Sequence, residues 1–130
     1  MLRRAFLDTQ VAFWMATGNK RLTPKIIKAI NSCRETVISA ISLAELEQKA
    51  MLGKLAAPIG LAQRFMDQGI ILEPFGIEAS EQLRRFAQLA KHDPLDRMIM
   101  AQAASQFGTL FFTADSVLAE LGLDWIVDCR

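Results

Sequence analysis

A chain of 130 residues, 52% apolar and 22% charged, is expected to form a single domain with a substantial core and is too apolar to be disordered. A net charge of +1 removes the global basic footprint that holds duplex DNA by counterion release, so any nucleic acid would have to be gripped locally. Two distant cysteines, Cys33 and Cys129, with one histidine and no paired-cysteine motif, argue against zinc, and no stretch reaches the ~18 apolar residues of a membrane span.

Taken in chain order, the pattern alternates. Residues 4–7 read as a strand and residues 9–15 open a helix. Arg3 and Arg4 ahead of an apolar run imitate a secretory leader, but Asp8 interrupts it too soon for an apolar region of about 7–15 residues. A soluble, cytoplasmic protein is therefore expected. Pro24 suits the first turn of a second helix, in which Ile26, Ile27, Ile30 and Cys33 share a face. The β-branched run 36–41 reads as a second strand. A helix from Ser42 to about Leu52 follows, ended by Gly53. Residues 58–67 predict a helix closed by Gly69, residues 70–72 a third strand, and residues 77–89 a helix. The segment 94–107 reads as the most buried helix, through Leu95, Ile99, Met100, Ala103 and Ala104. Residues 110–112 are a continuous apolar strand of the central parallel kind. A short helix over 116–121 and a strand around 125–127 complete an α/β domain. The expected architecture is a three-layer sandwich around a short, mainly parallel sheet.

Four acids sit where an apolar run or helix start places them near the carboxyl ends of strands: Asp8, Glu45, Asp96 and Asp115. That edge is where ligands bind in open parallel sheets. Each acid also has a plainer reading. Ser42 with Glu45 three residues on matches a capping box, and Asp93, Pro94 and Asp96 match a cap, a first-turn proline and a third-position acid. Asp8 and Asp115 suit the positive end of a helix, worth ~0.3–1 kcal/mol each. Taken singly, each acid reads more readily as a cap. Four together at one edge point instead to a shared site. Carboxylates gathered within a few ångströms repel, so at least one takes up a proton unless a cation such as Mg²⁺ or Mn²⁺ joins them.

At these residues the sequence resembles a family. FLDTQVAFW, SAISLAELEQKAMLGKL, HDPLDRMIMAQA and TLFFTADSVLAELG resemble, in order, the motifs of PIN-domain ribonucleases, and within them the VapC-type toxins of bacterial toxin–antitoxin pairs. The most specific piece is the block Asp93, Pro94, Asp96, Arg97 leading into Ala101, Gln102 and Ala103. The resemblance implies a PIN-like fold and an endoribonuclease that uses Mg²⁺ or Mn²⁺ to cut RNA. It implies Asp8, Glu45, Asp96 and Asp115 as the catalytic and metal-holding quartet. Asp93 matches an additional aspartate, and Thr113 matches a small hydroxyl residue two before the last acid. Thr9 and Arg97 flank matched acids and are expected in support. The resemblance also implies a homodimer and a protein antitoxin that lies across the active-site groove. The reaction expected of such a centre is in-line attack of water on phosphorus, leaving 5′-phosphate and 3′-hydroxyl ends. Three positions depart from the pattern. Gln10 stands where a histidine is frequent, Ala44 where a tryptophan is frequent, and His92 directly precedes Asp93 where relatives place a histidine one step earlier.

Other residues have mainly structural readings. The lone His92 reads as a loop or helix-start residue rather than a general base. Arg97 is equally suited to a phosphate and to a neighbouring carboxylate. Lys49 and Lys54 read as a solvated face. Met51, Leu52 and Leu55 with Ile26, Ile27 and Ile30 read as core in preference to a dimer or antitoxin groove. Trp14 and Trp125 read as buried anchors. Two alternative functions stay open: a non-catalytic PIN-like interaction module, and a metal-dependent phosphohydrolase of small phosphate esters.

Overall fold

The computed structural model describes residues 3–130. Its five strands, β1 (Arg4–Leu7), β2 (Glu35–Ser39), β3 (Ile70–Glu73), β4 (Thr109–Thr113) and β5 (Ile126–Asp128), form one sheet in the order β3-β2-β1-β4-β5. Every strand pair is parallel. The sheet is buried on both faces, as parallel sheets are. Ala5, Leu7, Ile38 and Phe112 point into one apolar cluster, with Val11 and Trp14 of α1 (Thr9–Thr17), Ile30 of α2 (Pro24–Asn31), Leu46 of α3 (Ala40–Met51) and Phe65 of α4 (Leu61–Asp67). The alternate residues Phe6, Val37 and Phe111 point the other way. There they meet Ile99, Met100 and Ala103 of α6 (Pro94–Ala104) and Leu118 of α7 (Ser116–Ala119). This is the three-layer α/β arrangement expected, with a sheet that is parallel throughout.

Several boundaries differ from the sequence reading, each for a local reason. β2 stops at Ser39, and Ala40 and Ile41 already belong to α3. The cap of α3 is Ser39, whose Oγ accepts the Ile41 N–H at 3.0 Å, so the Ser42–Glu45 capping box does not form. Gly53 adopts φ 71° just past this helix, as its terminating role requires. α4 begins at Leu61 rather than residue 58, because the preceding Gly60 takes a left-handed φ of 76°. The segment read as a helix over 77–89 is split into α5 (Ile77–Gln82) and a 3₁₀ stretch, Leu83–Leu89. The break at Phe86 (φ −114°, ψ 42°) accompanies burial of its ring edge-on to Trp125, at 6.3 Å between centroids. Trp125 itself is only half-buried, whereas Trp14 is buried.

α6 ends at Ala104, where the Ser105 hydroxyl donates to the Gln102 carbonyl at 2.7 Å and leaves Phe107 exposed. Leu95 in its first turn is also exposed, so the near-complete burial expected there holds for Ile99, Met100 and Ala103 but not for Leu95 or Ala104. Met51 and Leu52 are exposed rather than core, because α3 buries nothing beyond Leu46. Ile30 is core, and Ile26 and Leu55 pack against it partly buried.

α6 is tied to the sheet by a buried polar network. The Gln102 side-chain amide donates to the carbonyls of Glu73 and Pro74 and to Glu73 Oε2 at 3.0–3.1 Å. Its Oε1 accepts the Ser39 hydroxyl at 2.5 Å. Arg4, 6% exposed, pairs with Glu35 at 3.0 Å and Glu73 at 2.6 Å beneath the same helix. Since Ser39 caps α3, one side chain fixes α3 and α6 relative to each other.

Candidate metal centre

The chain runs outward from β1 through β2 to β3, then returns to place β4 on the other flank of β1. β1 and β4 are therefore where the strand order reverses, the place at which open parallel sheets build ligand sites beyond the strand ends. Their register pairs Leu7 with Phe112, so the next residues, Asp8 and Thr113, lie side by side. The Asp8 N–H donates to the Phe112 carbonyl at 2.9 Å. Asp8 is buried at 4% exposure, and both its oxygens are engaged. Oδ1 accepts the Thr9 N–H at 2.8 Å as the cap of α1, and Oδ2 accepts the Thr113 hydroxyl at 2.6 Å. Burial pushes the Asp8 carboxyl above its ordinary pKa against the lowering effect of these two hydrogen bonds, and the charges of Asp115 and Glu45 push it further up.

Asp115 enters from the end of β4. Its N–H donates to Thr113 Oγ1 at 3.0 Å and its Oδ1 accepts the Leu118 N–H at 3.1 Å, capping α7. Oδ2 is left facing the site. Asp96 enters from the first turn of α6, but the cap of that helix is Asp93, which accepts the N–H groups of Leu95 and Asp96 at 2.8 and 3.4 Å. Capping is thus performed by Asp93, and among the described residues no backbone donor holds the Asp96 carboxylate. Burial raises the Asp96 pKa to about 7, reinforced by the like charges of Asp8, Asp93, Asp115 and Glu45. Glu45 enters from the middle of α3. Its Oε1 accepts the Thr9 hydroxyl at 2.9 Å and its Oε2 lies 3.1 Å from Lys49 Nζ, one turn further along the helix. Thr9 Oγ1 is also 2.8 Å from Ser42 Oγ, which joins α1 to α3.

These side chains line one cleft of about 350 Å³, with Asp8, Thr9, Glu45, Lys49, Asp93, Asp96 and Asp115 on its walls. The four acids singled out from sequence are brought together, with Asp93 at the exposed rim and Thr113 buried behind Asp8. Thr9 braces Glu45. Arg97 makes no ion pair among the described residues, and its buried Nε has no hydrogen-bond partner. Lys49, read as solvated face, is half exposed and belongs to the cleft wall.

His92, read from the sequence as a loop or helix-start residue, does lie in the loop before α6, and it also reaches two of the acids. Its Nε2 lies 3.0 Å from Asp96 Oδ2 and 3.4 Å from Asp115 Oδ2. Among the described residues, His92, Asp96 and Asp115 form a group whose donor atoms all lie within 4.8 Å of one another, compact enough for a metal ion. The i, i+4 offset from His92 to Asp96 was the available signal, hidden because His92 precedes the cap and so lies outside the helix proper.

The donor set suits a hard divalent cation. It is carboxylate-rich, has one ammonium nearby, and contains an acid held well above its ordinary pKa by burial and then by neighbouring negative charge, the second of which a cation would relieve. No described helix is long and apolar enough to cross a membrane.

The sequence matches the family model of the PIN domain over residues 5–123. No curated protein matches it significantly. Among solved structures it is similar to VapBC2 from Rickettsia felis, determined bound to a DNA fragment from its promoter: TM-score 0.70, 12% identity, 96% of this chain and 98% of that chain covered. It is also similar to a toxin–antitoxin complex from Klebsiella pneumoniae (0.67, 16% identity, 97% and 98% covered) and to DNA-bound VapBC from Salmonella typhimurium (0.64, 22% identity, 100% and 100% covered). With the match spanning nearly the whole sheet and every acid of the cleft, the chain belongs to the PIN-domain family.

Proposed function

We propose that the protein is a Mg²⁺- or Mn²⁺-dependent endoribonuclease, and that it serves as the toxin of a toxin–antitoxin pair. The observation that carries the reading is the meeting of Asp8, Glu45, Asp96 and Asp115, drawn from four separate segments, in one cleft at the reversal point of the sheet. Asp96 and Asp115 each bring an oxygen to within 3.0 and 3.4 Å of His92 Nε2, and Asp8 and Glu45 line the same cleft. A bound Mg²⁺ or Mn²⁺ supplies Lewis acidity to a phosphoryl oxygen and lowers the pKa of water at the site.

The chain's own groups do the positioning. Thr113 and the Thr9 N–H fix the Asp8 carboxylate. Lys49 and the Thr9 hydroxyl fix Glu45 on the facing wall, where Oε2 is placed to orient a water. Asp93 holds the start of α6, and so the direction of Asp96. The toxin assignment, a protein antitoxin as partner and a homodimeric state are supported by the likeness to VapBC and toxin–antitoxin complexes together with the sequence motifs. Incubation with a structured RNA tests the activity. Cleavage with Mg²⁺ or Mn²⁺, yielding 5′-phosphate ends and lost both with EDTA and in Asp8→Asn, is expected. RNA left intact under every metal condition would favour a non-catalytic interaction module.

A further inference from the structure

We propose that His92 Nε2 is itself a ligand of the cation held by Asp96 and Asp115, and that this nitrogen makes the centre select Mn²⁺ over Mg²⁺. The inference rests on the reading of Asp96 and Asp115 as cation-binding acids and adds a donor that the four-carboxylate description lacks. Its basis is spacing. Neighbouring ligands of a six-coordinate ion at ~2.1 Å are about 3.0 Å apart. Without a cation Nε2 hydrogen-bonds Asp96 Oδ2 at 3.0 Å and lies 3.4 Å from Asp115 Oδ2; with the ring proton on Nδ1, the same nitrogen would stand at near-coordination spacing from an oxygen of each acid. Each Asp8 oxygen accepts one hydrogen bond, from the Thr9 N–H and the Thr113 hydroxyl, and keeps a second lone pair for the same cation.

The backbone keeps the imidazole there. The His92 N–H donates to the Leu89 carbonyl at 2.9 Å, closing the end of the 3₁₀ stretch. On its other side Asp93 caps α6 and Pro94 fixes the first helical residue. The ring is partly buried, at 22% exposure. Mg²⁺ prefers oxygen donors and gains little from an imidazole, whereas Mn²⁺ stands at the start of the first-row series whose affinity for nitrogen exceeds that of Mg²⁺.

The chain contains one histidine, so an imidazole-nitrogen signal from bound manganese has a single source. Tag-free protein stripped with a chelator is loaded with Mn²⁺ and studied by pulsed electron paramagnetic resonance, with Mn²⁺ and Mg²⁺ affinities measured by titration. The expected result is ¹⁴N modulation typical of directly bound imidazole, absent in His92→Asn. That variant should weaken Mn²⁺ about tenfold while leaving Mg²⁺ affinity within about threefold. Manganese that binds without an imidazole signal overturns the role of His92 and leaves the acids as a cation site. A wild-type protein that binds no Mn²⁺ overturns both readings. The wild-type spectrum decides the matter even where the variant folds poorly.

Discussion

Thr113 donates its hydroxyl proton to Asp8 Oδ2 at 2.6 Å while its own Oγ1 receives the Asp115 N–H at 3.0 Å. One small side chain at the end of β4 therefore sets two acids of the cleft at once, the first through its proton and the second through its lone pair. A hydroxyl does both and a methyl does neither.

Thr113→Val keeps the volume and removes both hydrogen bonds. Thr113 is fully buried, so the Asp8 oxygen and the Asp115 N–H each lose a partner behind the cleft wall. A loss of about 1–3 kcal/mol in metal-free stability is expected by denaturant melting, together with weaker cation binding. Thr113→Ser should restore most of both. Unchanged cation affinity in Thr113→Val would mean that Asp8 and Asp115 need no such anchor.

The metal-free protein should lose stability as pH rises from 3.8 towards 7. The Asp96 carboxyl has an ordinary pKa of 3.8 and a folded value of about 7. Between those values the folded state holds a proton that the unfolded chain has released, so each step up in pH favours unfolding. The effect is complete above about 7, and Asp8, shifted in the same direction, adds to it. Asp96→Asn should flatten the slope and stabilise the metal-free protein by roughly 1–3 kcal/mol at pH 8. Melting in a chelator across pH 4–8 checks it. A strongly destabilised Asp96→Asn would instead mark Asp96 as a structural helix-start acid.

Gln102→Leu should be among the most damaging single changes away from the cleft. It leaves the Ser39 hydroxyl without its acceptor, and the carbonyls of Glu73 and Pro74 without their shared donor, in a site at 1% exposure. A loss of roughly 2–4 kcal/mol in unfolding free energy is expected. Because Ser39 caps α3, cation affinity should fall as well, through displacement of Glu45 relative to Asp96. An unaltered melting curve would show that apolar packing alone holds α6.

The legibility of the fold follows the strength of local signals. β1, the start of α1 and the start of α2 were readable because Asp8 and Pro24 mark boundaries that few other conformations tolerate. The start of α3 was misplaced because Ser39 and Ser42 both suit a cap and the β-branched run continues past Ser39. The contact of Ser39 with Gln102, 63 residues away, and the pairing of β2 with β3 that ends at Ser39 distinguish them, and neither can be seen in the local sequence. The break at Phe86 likewise depends on a tertiary partner, Trp125. In the cleft, the acids were legible through their positions after apolar runs. Two matters were not. Which oxygens are spent on caps, as in Asp8 and Asp115, depends on backbone geometry, and the place of His92 depends on how a loop returns across the sheet edge.

The central claim is that carboxylates from distant segments form one cation-binding centre, and calorimetric titration of the chelator-stripped protein with Mg²⁺ or Mn²⁺ tests it most directly. Saturable binding is expected, with a thermal stabilisation of ~2.7 kcal/mol at a hundredfold excess over the dissociation constant, and both should be lost in Asp96→Asn and Asp115→Asn. Wild-type protein that neither binds nor is stabilised by either ion, or variants that bind it as tightly as the wild type, would contradict the claim.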